Sequence, residues 1–166
     1  MKLLGSLLII LACSLYGFFK AYALKKKCKN LTEIKSIVNT LKSQIGFLKT
    51  DLCTAVINAS KDYGVSPVFS DFAYGIKTLG VDDSWNESLK KHSSALFFSE
   101  QDTEVLKLFS KELGKTDTNN QLKSLDFFLG LLDELYYNAD SQYKLKASIY
   151  KSAGTTIGIF VVLMLL

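Results

Sequence analysis

Side chains able to do chemistry are sparse in this chain, and their spacing does not build a reaction centre. His92 is the only histidine. It follows Lys90 and Lys91, where a partner for a helix C-terminal dipole is expected rather than a general base. Cys13, Cys28 and Cys53 are irregularly spaced and form no CxxC pair. They offer neither a disulfide framework nor a metal-ligand pattern, and they fit a reducing compartment. Gly75, Gly80 and Gly114 read as helix stops or turns rather than as a phosphate-cradling loop. Two acidic groups, Asp82, Asp83 and Glu87, then Glu100, Asp102 and Glu104, have the oxygen ligands a divalent cation takes. Acids at helix starts are first of all complements of the helix dipole. Asn30, Asn58 and Asn86 match the short glycosylation pattern. No catalytic, cofactor-binding or metal site is expected, and no enzyme. All 20 basic residues are Lys. Without Arg, bidentate phosphate clamps and guanidinium base readout are missing, so nucleic acid is not an expected partner.

What must hold these residues is set by the two ends. Leu3 to Phe19 carries no charge, and Lys20, Lys25, Lys26, Lys27 and Lys29 follow at once. At about 1.5 Å per residue the run covers roughly 25 Å, a marginal span with lysines snorkelling outward. Residues 153–166 are uncharged too, reach about 21 Å, and follow Lys144, Lys146 and Lys151. The expected division is a transmembrane helix at 1–19, a helical domain at 20–152 and a second transmembrane helix at 153–166. Both basic flanks border the domain, which the positive-inside rule places in the cytoplasm. Ile10-Leu11-Ala12-Cys13 also resembles a lipidation signal. The bulky Leu11, the apolar run beyond Cys13 and the downstream lysines favour an uncleaved anchor over a lipoprotein or a cleaved leader.

Charge is uneven between the ends. From Lys20 to Lys61 nine Lys face Glu33 and Asp51, a local charge of +7. From Asp82 to Asp140 twelve acids face six Lys, or −6. A basic collar near the membrane and an acidic body beyond it describe the chain, beside the simpler reading of solvated helix faces.

Two heptad registers extend the apolar ends. One runs Leu24, Cys28, Leu31, Ile34, Val38, Leu41, Ile45, Leu48, Leu52; the other Leu122, Leu125, Leu129, Leu132, Tyr136, Ala139, Tyr143. Such spacing marks either a coiled coil or helices facing a shared core. Each register continues its neighbouring apolar segment, so the first and last helices leave the membrane unbroken and pack antiparallel. Shorter helices fold back between them. One is capped by Asp51 and stopped by Gly64. The next starts at Ser66-Pro67, with Ser as cap, buries Val68, Phe69, Phe72, Ala73 and Ile76, and ends near Gly80. A third opens at Asp82 or Asp83 and carries Trp85 and Leu89, followed by an apolar connector over 94–98. A fourth starts at Ser99 or Asp102, carries Val105, Leu106, Phe109 and Leu113, and stops at Gly114; Asp117 caps the last helix. With no period-2 alternation, the fold class is all-α, an antiparallel bundle of about six helices.

Several stretches resemble the stage III sporulation protein AB family of spore-forming bacteria. They are Lys2-Leu3-Leu4-Gly5, Leu41-x-x-x-Ile45 with Leu52-x-x-Ala55, and Trp85-x-x-x-Leu89. Leu106-x-x-Phe109-x-x-x-Leu113-Gly114-x-x-Asp117-x-x-x-Gln121 is the most specific, and Tyr150-Lys151-Ser152-x-Gly154-x-x-x-Gly158 leads into the second span. The stretch Phe47 to Leu52 departs by lacking a Pro. The resemblance implies a member of the mother-cell protein set that, with a forespore channel protein, joins the two cells during engulfment. It also implies a domain like the cytoplasmic part of type II secretion and type IV pilus platform proteins. The implied partners are a secretion-type ATPase encoded beside it, the other channel proteins and membrane lipid. The implied location is the mother-cell membrane around the forespore.

A docking role directs attention to the acids Glu100, Asp102, Glu104, Glu112 and Asp117 as the partner-binding group, with Lys20, Lys25, Lys26, Lys27, Lys29 and Lys151 as the membrane flank. Two other classes remain open on sequence. One is a transmembrane sensor with an extracytoplasmic ligand-binding bundle; the other is a secreted or lipidated structural protein.

Overall fold

The computed structural model describes residues 2–48, 51–111, 113 and 118–165. These form six α-helices and one 3₁₀ turn: α1 (Lys2–Leu48), α2 (Leu52–Ser60), α3 (Ser66–Leu79), α4 (Val81–Leu96), α5 (Glu100–Lys107), the turn Leu108–Ser110, and α6 (Thr118–Leu165). No strand occurs among the described residues. The first and last helices are long and continuous with the apolar ends, as the registers require. Two compact units result: Met1–Cys28 with Tyr137–Leu166, and Lys29–Tyr136.

In the 29–136 unit, α1 and α6 run antiparallel. Lys35 pairs with Asp133 and Lys42 with Asp126, so seven residues forward on α1 match seven back on α6. The heptad positions Leu31, Ile34, Val38, Leu41, Leu125, Leu129 and Leu132 are buried. So, however, are Asn30, Glu33 and Ile37, which lie on a second seam of α1. A two-stranded coil buries one seam. Here α1 buries a wider face because the short helices also need covering, so the shared-core reading holds. The two polar members of that seam fasten the short helices. The Asn30 amide donates to the Leu96 carbonyl at 3.0 Å, and a Glu33 carboxylate oxygen accepts the Val65 N–H at 3.0 Å. Asn30, one of the glycosylation matches, is thereby committed to the interior.

The expected helix boundaries shift at several points. The first register does not run on to Leu52, since α1 ends at Leu48 and Leu52 opens α2. Asp51 holds the N-cap position of α2, but its side chain makes no capping bond. That helix stops at Ser60 rather than at Gly64, because the chain turns there to bring the Val65 N–H to Glu33. Gly64 serves a different purpose: a Cβ there would lie 3.2 Å from the same carboxylate. The N-cap of α3 is Val65, with Ser66 and Pro67 already in the first turn, where a missing N–H costs nothing. Ile76 is only half-buried.

Gly80 (φ +82°) both ends α3 and caps α4, so Asp82 and Asp83 fall in the first turn of α4 as dipole complements instead of caps. Gly75 is no stop. It lies inside α3, where a Cβ would meet the Ser84 hydroxyl at 2.3 Å. Ser84 and Ser88 of α4 donate to the carbonyls of Phe72 and Val68, both at 2.6 Å, which clamps α3 and α4 together. The expected connector over 94–98 is in part helix: α4 continues through buried Leu96 and ends on Phe97 in the left-handed region (φ 58°). Helix α5 ends at Lys107 and tightens to a 3₁₀ turn that carries Phe109 into the core. Gly114, the expected stop, and Asp117, the expected cap of α6, lie outside the described residues.

The 29–136 unit is centred on rings. Trp85 contacts Phe69 and Phe72, both at 5.2 Å between centroids, and Phe109 at 4.8 Å; Phe109 reaches Phe128 of α6 at 5.3 Å.

The other unit pairs the apolar ends of α1 and α6 through glycines. A Cβ on Gly17 would sit 2.3 Å from the Tyr150 carbonyl oxygen. One on Gly154 would sit 2.7 Å from that of Cys13, and one on Gly158 would lie 3.0 Å from Ile10 Cα. The Gly154-x-x-x-Gly158 spacing thus brings two backbones together, as small residues do where no hydrophobic effect drives helices together. Large apolar side chains point outward around this seam, among them Leu7, Leu15, Phe18, Ile157, Phe160 and Leu163. Both α1 and α6 are long and apolar enough to cross a membrane.

Candidate docking surface

Ser99 caps α5 reciprocally. Its hydroxyl accepts the Asp102 N–H at 3.2 Å, while the Asp102 carboxylate accepts the Ser99 N–H at 2.7 Å. A box of this kind stabilises a helix start by about 1 kcal/mol. It also decides what the acids can do. Asp102 is 5% exposed and turned inward on the cap. Glu100 and Glu104 remain on the exposed face, Glu104 paired with Lys107 at 2.5 Å. Glu112 and Asp117 lie outside the described residues.

Between α4 and α5 lies an open groove of about 940 Å³. Glu100, Glu104 and Thr103 line one side, Asn86, Lys90, Ser93 and Ser94 the other, with Phe98 and Ser99 between them and Lys107 at the α5 end. The Asn86 side-chain oxygen is buried with no hydrogen-bond partner among the described residues. Sequence reasoning reached the α5 half of this groove and missed the α4 half. The expected connector over 94–98 takes in Ser94, although Ser93 and Ser94, a polar pair one turn beyond Lys90, signal an exposed helix face.

A second polar cluster joins α3 to α4. One Asp71 carboxylate oxygen accepts from Lys91 at 2.7 Å and lies 2.8 Å from His92 Nε2. His92 therefore binds a neighbouring helix instead of the end of its own. The Lys91 and His92 bonds hold the Asp71 carboxyl below its ordinary value. A depressed carboxylate stabilises the fold above its unfolded pKa, about 3.9, and loses that contribution as pH falls through the lower folded value. Asp71 and Lys91 are 34% and 65% exposed, so the contribution is under about 1 kcal/mol. Asp71→Asn should lower stability by about 0.5–1 kcal/mol at pH 7. The gap to wild type should close in denaturant titrations run progressively below about pH 4. A gap that persists unchanged into strong acid contradicts this pairing.

Burial pushes both the Cys28 and Cys53 thiols up, with Asp140 and Asp51 adding to it respectively. Neither is poised as a nucleophile at neutral pH. Among the described residues no three His, Cys, Asp or Glu side chains converge on a metal position. Of the lysine flank, Lys20, Lys25, Lys29 and Lys151 are exposed and Lys26 and Lys27 half-buried. Lys20 stands over the Tyr16 ring at 5.5 Å, and Lys29 reaches Glu33 at 3.6 Å.

Comparison with known proteins gives one consistent result. The family model for stage III sporulation protein AB matches residues 2–166. The stage III sporulation protein AB of Bacillus subtilis (strain 168) is 28% identical over 171 residues, covering 100% of this chain and 99% of the relative. A solved structure of a stage III sporulation protein AB superposes with a TM-score of 0.65 at 25% identity, over 71% of this chain and 96% of that one. With a full-length family match and the same helical fold in a solved member, this chain belongs to the stage III sporulation protein AB family.

Proposed function

We infer that this protein is a membrane-anchored docking platform for a secretion-type ATPase within the mother cell–forespore channel complex, acting without a catalytic site of its own. The observation that carries the reading is the α4–α5 groove. Its exposed acids Glu100 and Glu104 stand on a reciprocally capped helix, with Lys107 paired to Glu104 and Lys90 on the facing wall. A pre-organised edge on which acids and lysines alternate suits a partner of complementary charge pattern, with a basic group for Glu100, and such complementarity governs encounter rate and orientation. The lysines flanking both apolar segments on the domain side favour the cytoplasmic face, where ATP is. On this reading the protein sits in the mother-cell membrane around the forespore.

The test is capture of the ATPase by the full-length chain in detergent. Glu100→Lys with Glu104→Lys should weaken capture at least about tenfold, the scale on which like charges replace complementary ones. Folding is checked by circular dichroism, and the solvent-exposed positions predict no loss of helicity. Undiminished capture by the folded variant rules out this groove as the docking surface.

A further inference from the structure

The unit of residues 1–28 and 137–166 is charged in a way that spanning a membrane does not require. On the domain side of its glycine seam it carries seven lysines, Lys20, Lys25, Lys26, Lys27, Lys144, Lys146 and Lys151, against one acid, Asp140. The single carboxylate pairs with Lys144 at 2.6 Å, which neutralises one of seven. Gly17 lies against Tyr150 and Gly154, so Lys151 is level with Gly17 and Lys20 lies about 4.5 Å further along α1. The same antiparallel register sets Lys146 and Lys144 opposite Tyr22 and Leu24, just short of Lys25–Lys27, so the lysines form one graded band about 15 Å deep.

From Lys20 to Lys25 is about 7.5 Å along the helix, close to the roughly 5–7 Å depth of one headgroup layer. Lys25, Lys26 and Lys27 project at successive turns of about 100°, covering more than half the girth of α1. Exposed Tyr16 and Tyr22 flank Lys20 on the same helix, as amphipathic rings do at a membrane–water boundary.

We propose that this lysine collar is a binding surface for anionic phospholipid, holding two or more headgroups around the paired spans. It rests on the reading of the two apolar segments as membrane spans. Orientation alone asks for a basic excess on one side; a graded band of lysines round a preformed helix pair concentrates it where lipid phosphates lie. Lys is suited to this as a hydrated point charge that needs no fixed geometry. Selectivity is for charge rather than for a particular headgroup shape.

The experiment is native mass spectrometry of the full-length chain, released from non-ionic detergent after incubation with equal amounts of phosphatidylglycerol and phosphatidylcholine. Each lysine at an anionic surface contributes about fivefold. Wild type should therefore retain phosphatidylglycerol over phosphatidylcholine by about tenfold or more. Lys25→Gln/Lys26→Gln/Lys27→Gln should lose most of that preference. Lys61→Gln/Lys77→Gln/Lys123→Gln, which removes the same charge from the other unit, should keep it. Equal retention of the two lipids by wild type overturns the proposal, as does a preference that survives in the collar variant or disappears in both. Alkaline extraction of membranes reads the underlying assumption separately. A chain released by alkali has no spans and the collar falls with them; a chain that stays but shows no lipid preference refutes the collar alone.

Discussion

Replacing Trp85 with alanine should cost the 29–136 unit about 3–5 kcal/mol, a large share of a typical domain's stability. The indole is fully buried and touches rings from α3 and the 3₁₀ turn, and Phe109 passes the contact on to Phe128 of α6. Truncation would therefore open a cavity bordered by several elements at once, none of which can close it without losing contacts elsewhere. The indole N–H also donates to the Leu106 carbonyl at 2.7 Å, which ties α4 to the end of α5. Trp85→Phe keeps a ring but removes that donor, and should cost about 1–2 kcal/mol. Circular dichroism of the full chain in detergent, followed through denaturant, measures both; Trp fluorescence is lost with the only tryptophan. An alanine variant within about 1 kcal/mol of wild type means the cluster is not the centre of this core.

That cluster was largely legible in the sequence, because Phe69, Phe72, Trp85, Phe109 and the α6 leucines repeat at helical spacing beside turn and cap signals. Periodicity reports which face of a helix is apolar. It does not report how wide a face the partners demand. Ile37 is buried yet lies off the heptad, and Asn30 and Glu33 look like surface residues until the Leu96 carbonyl and the Val65 N–H appear beside them. Helix ends failed for a related reason. Ser66, Asp82 and Gly64 are good local signals, but tertiary bonds and the positive φ at Gly80 moved the boundaries by one to a few residues.

The α4–α5 groove was half visible. A run of acids near a Ser is a strong cue for a helix start, and it located Glu100 and Glu104. The same cue could not say that Asp102 would turn inward, because Ser99-x-x-Asp102 reads equally as exposed charge and as a capping box. The opposite wall depends on α4 continuing past His92 to Leu96, held there by Asn30 from more than sixty positions away. Nothing local to 86–98 carries that information. The family motif around Gly154 and Gly158 was visible as well, but its mate was not, since Gly17 is one small residue in a long apolar run.

Gly17→Leu should separate the two candidate spans. Even the first carbon of any side chain at position 17 meets the Tyr150 carbonyl oxygen at 2.3 Å, and a helical backbone atom cannot rotate aside as a side-chain end can. The helices must move apart by an ångström or more, which forfeits the backbone contacts on which association in lipid depends. A cost of about 2–3 kcal/mol corresponds to roughly a thirty- to hundredfold loss of the packed pair. Cys13 supplies the readout. A Cβ on Gly158 would lie 3.2 Å from that of Cys13, a few tenths of an ångström short of the usual disulfide separation of about 3.5–4.5 Å, so a small outward shift of the helices brings the pair into range. In a chain with Cys28→Ser and Cys53→Ser, Gly158→Cys should cross-link to Cys13 when membranes are treated with a mild oxidant. A protease site in the exposed Lys61–Asp62 turn then leaves the two halves joined on a non-reducing gel. Gly17→Ala should slow the cross-link and Gly17→Leu nearly abolish it. Gly5→Leu should leave it intact, because nothing lies within 4 Å of a Cβ there. Efficient cross-linking in the Gly17→Leu chain would show that the spans do not meet through this seam.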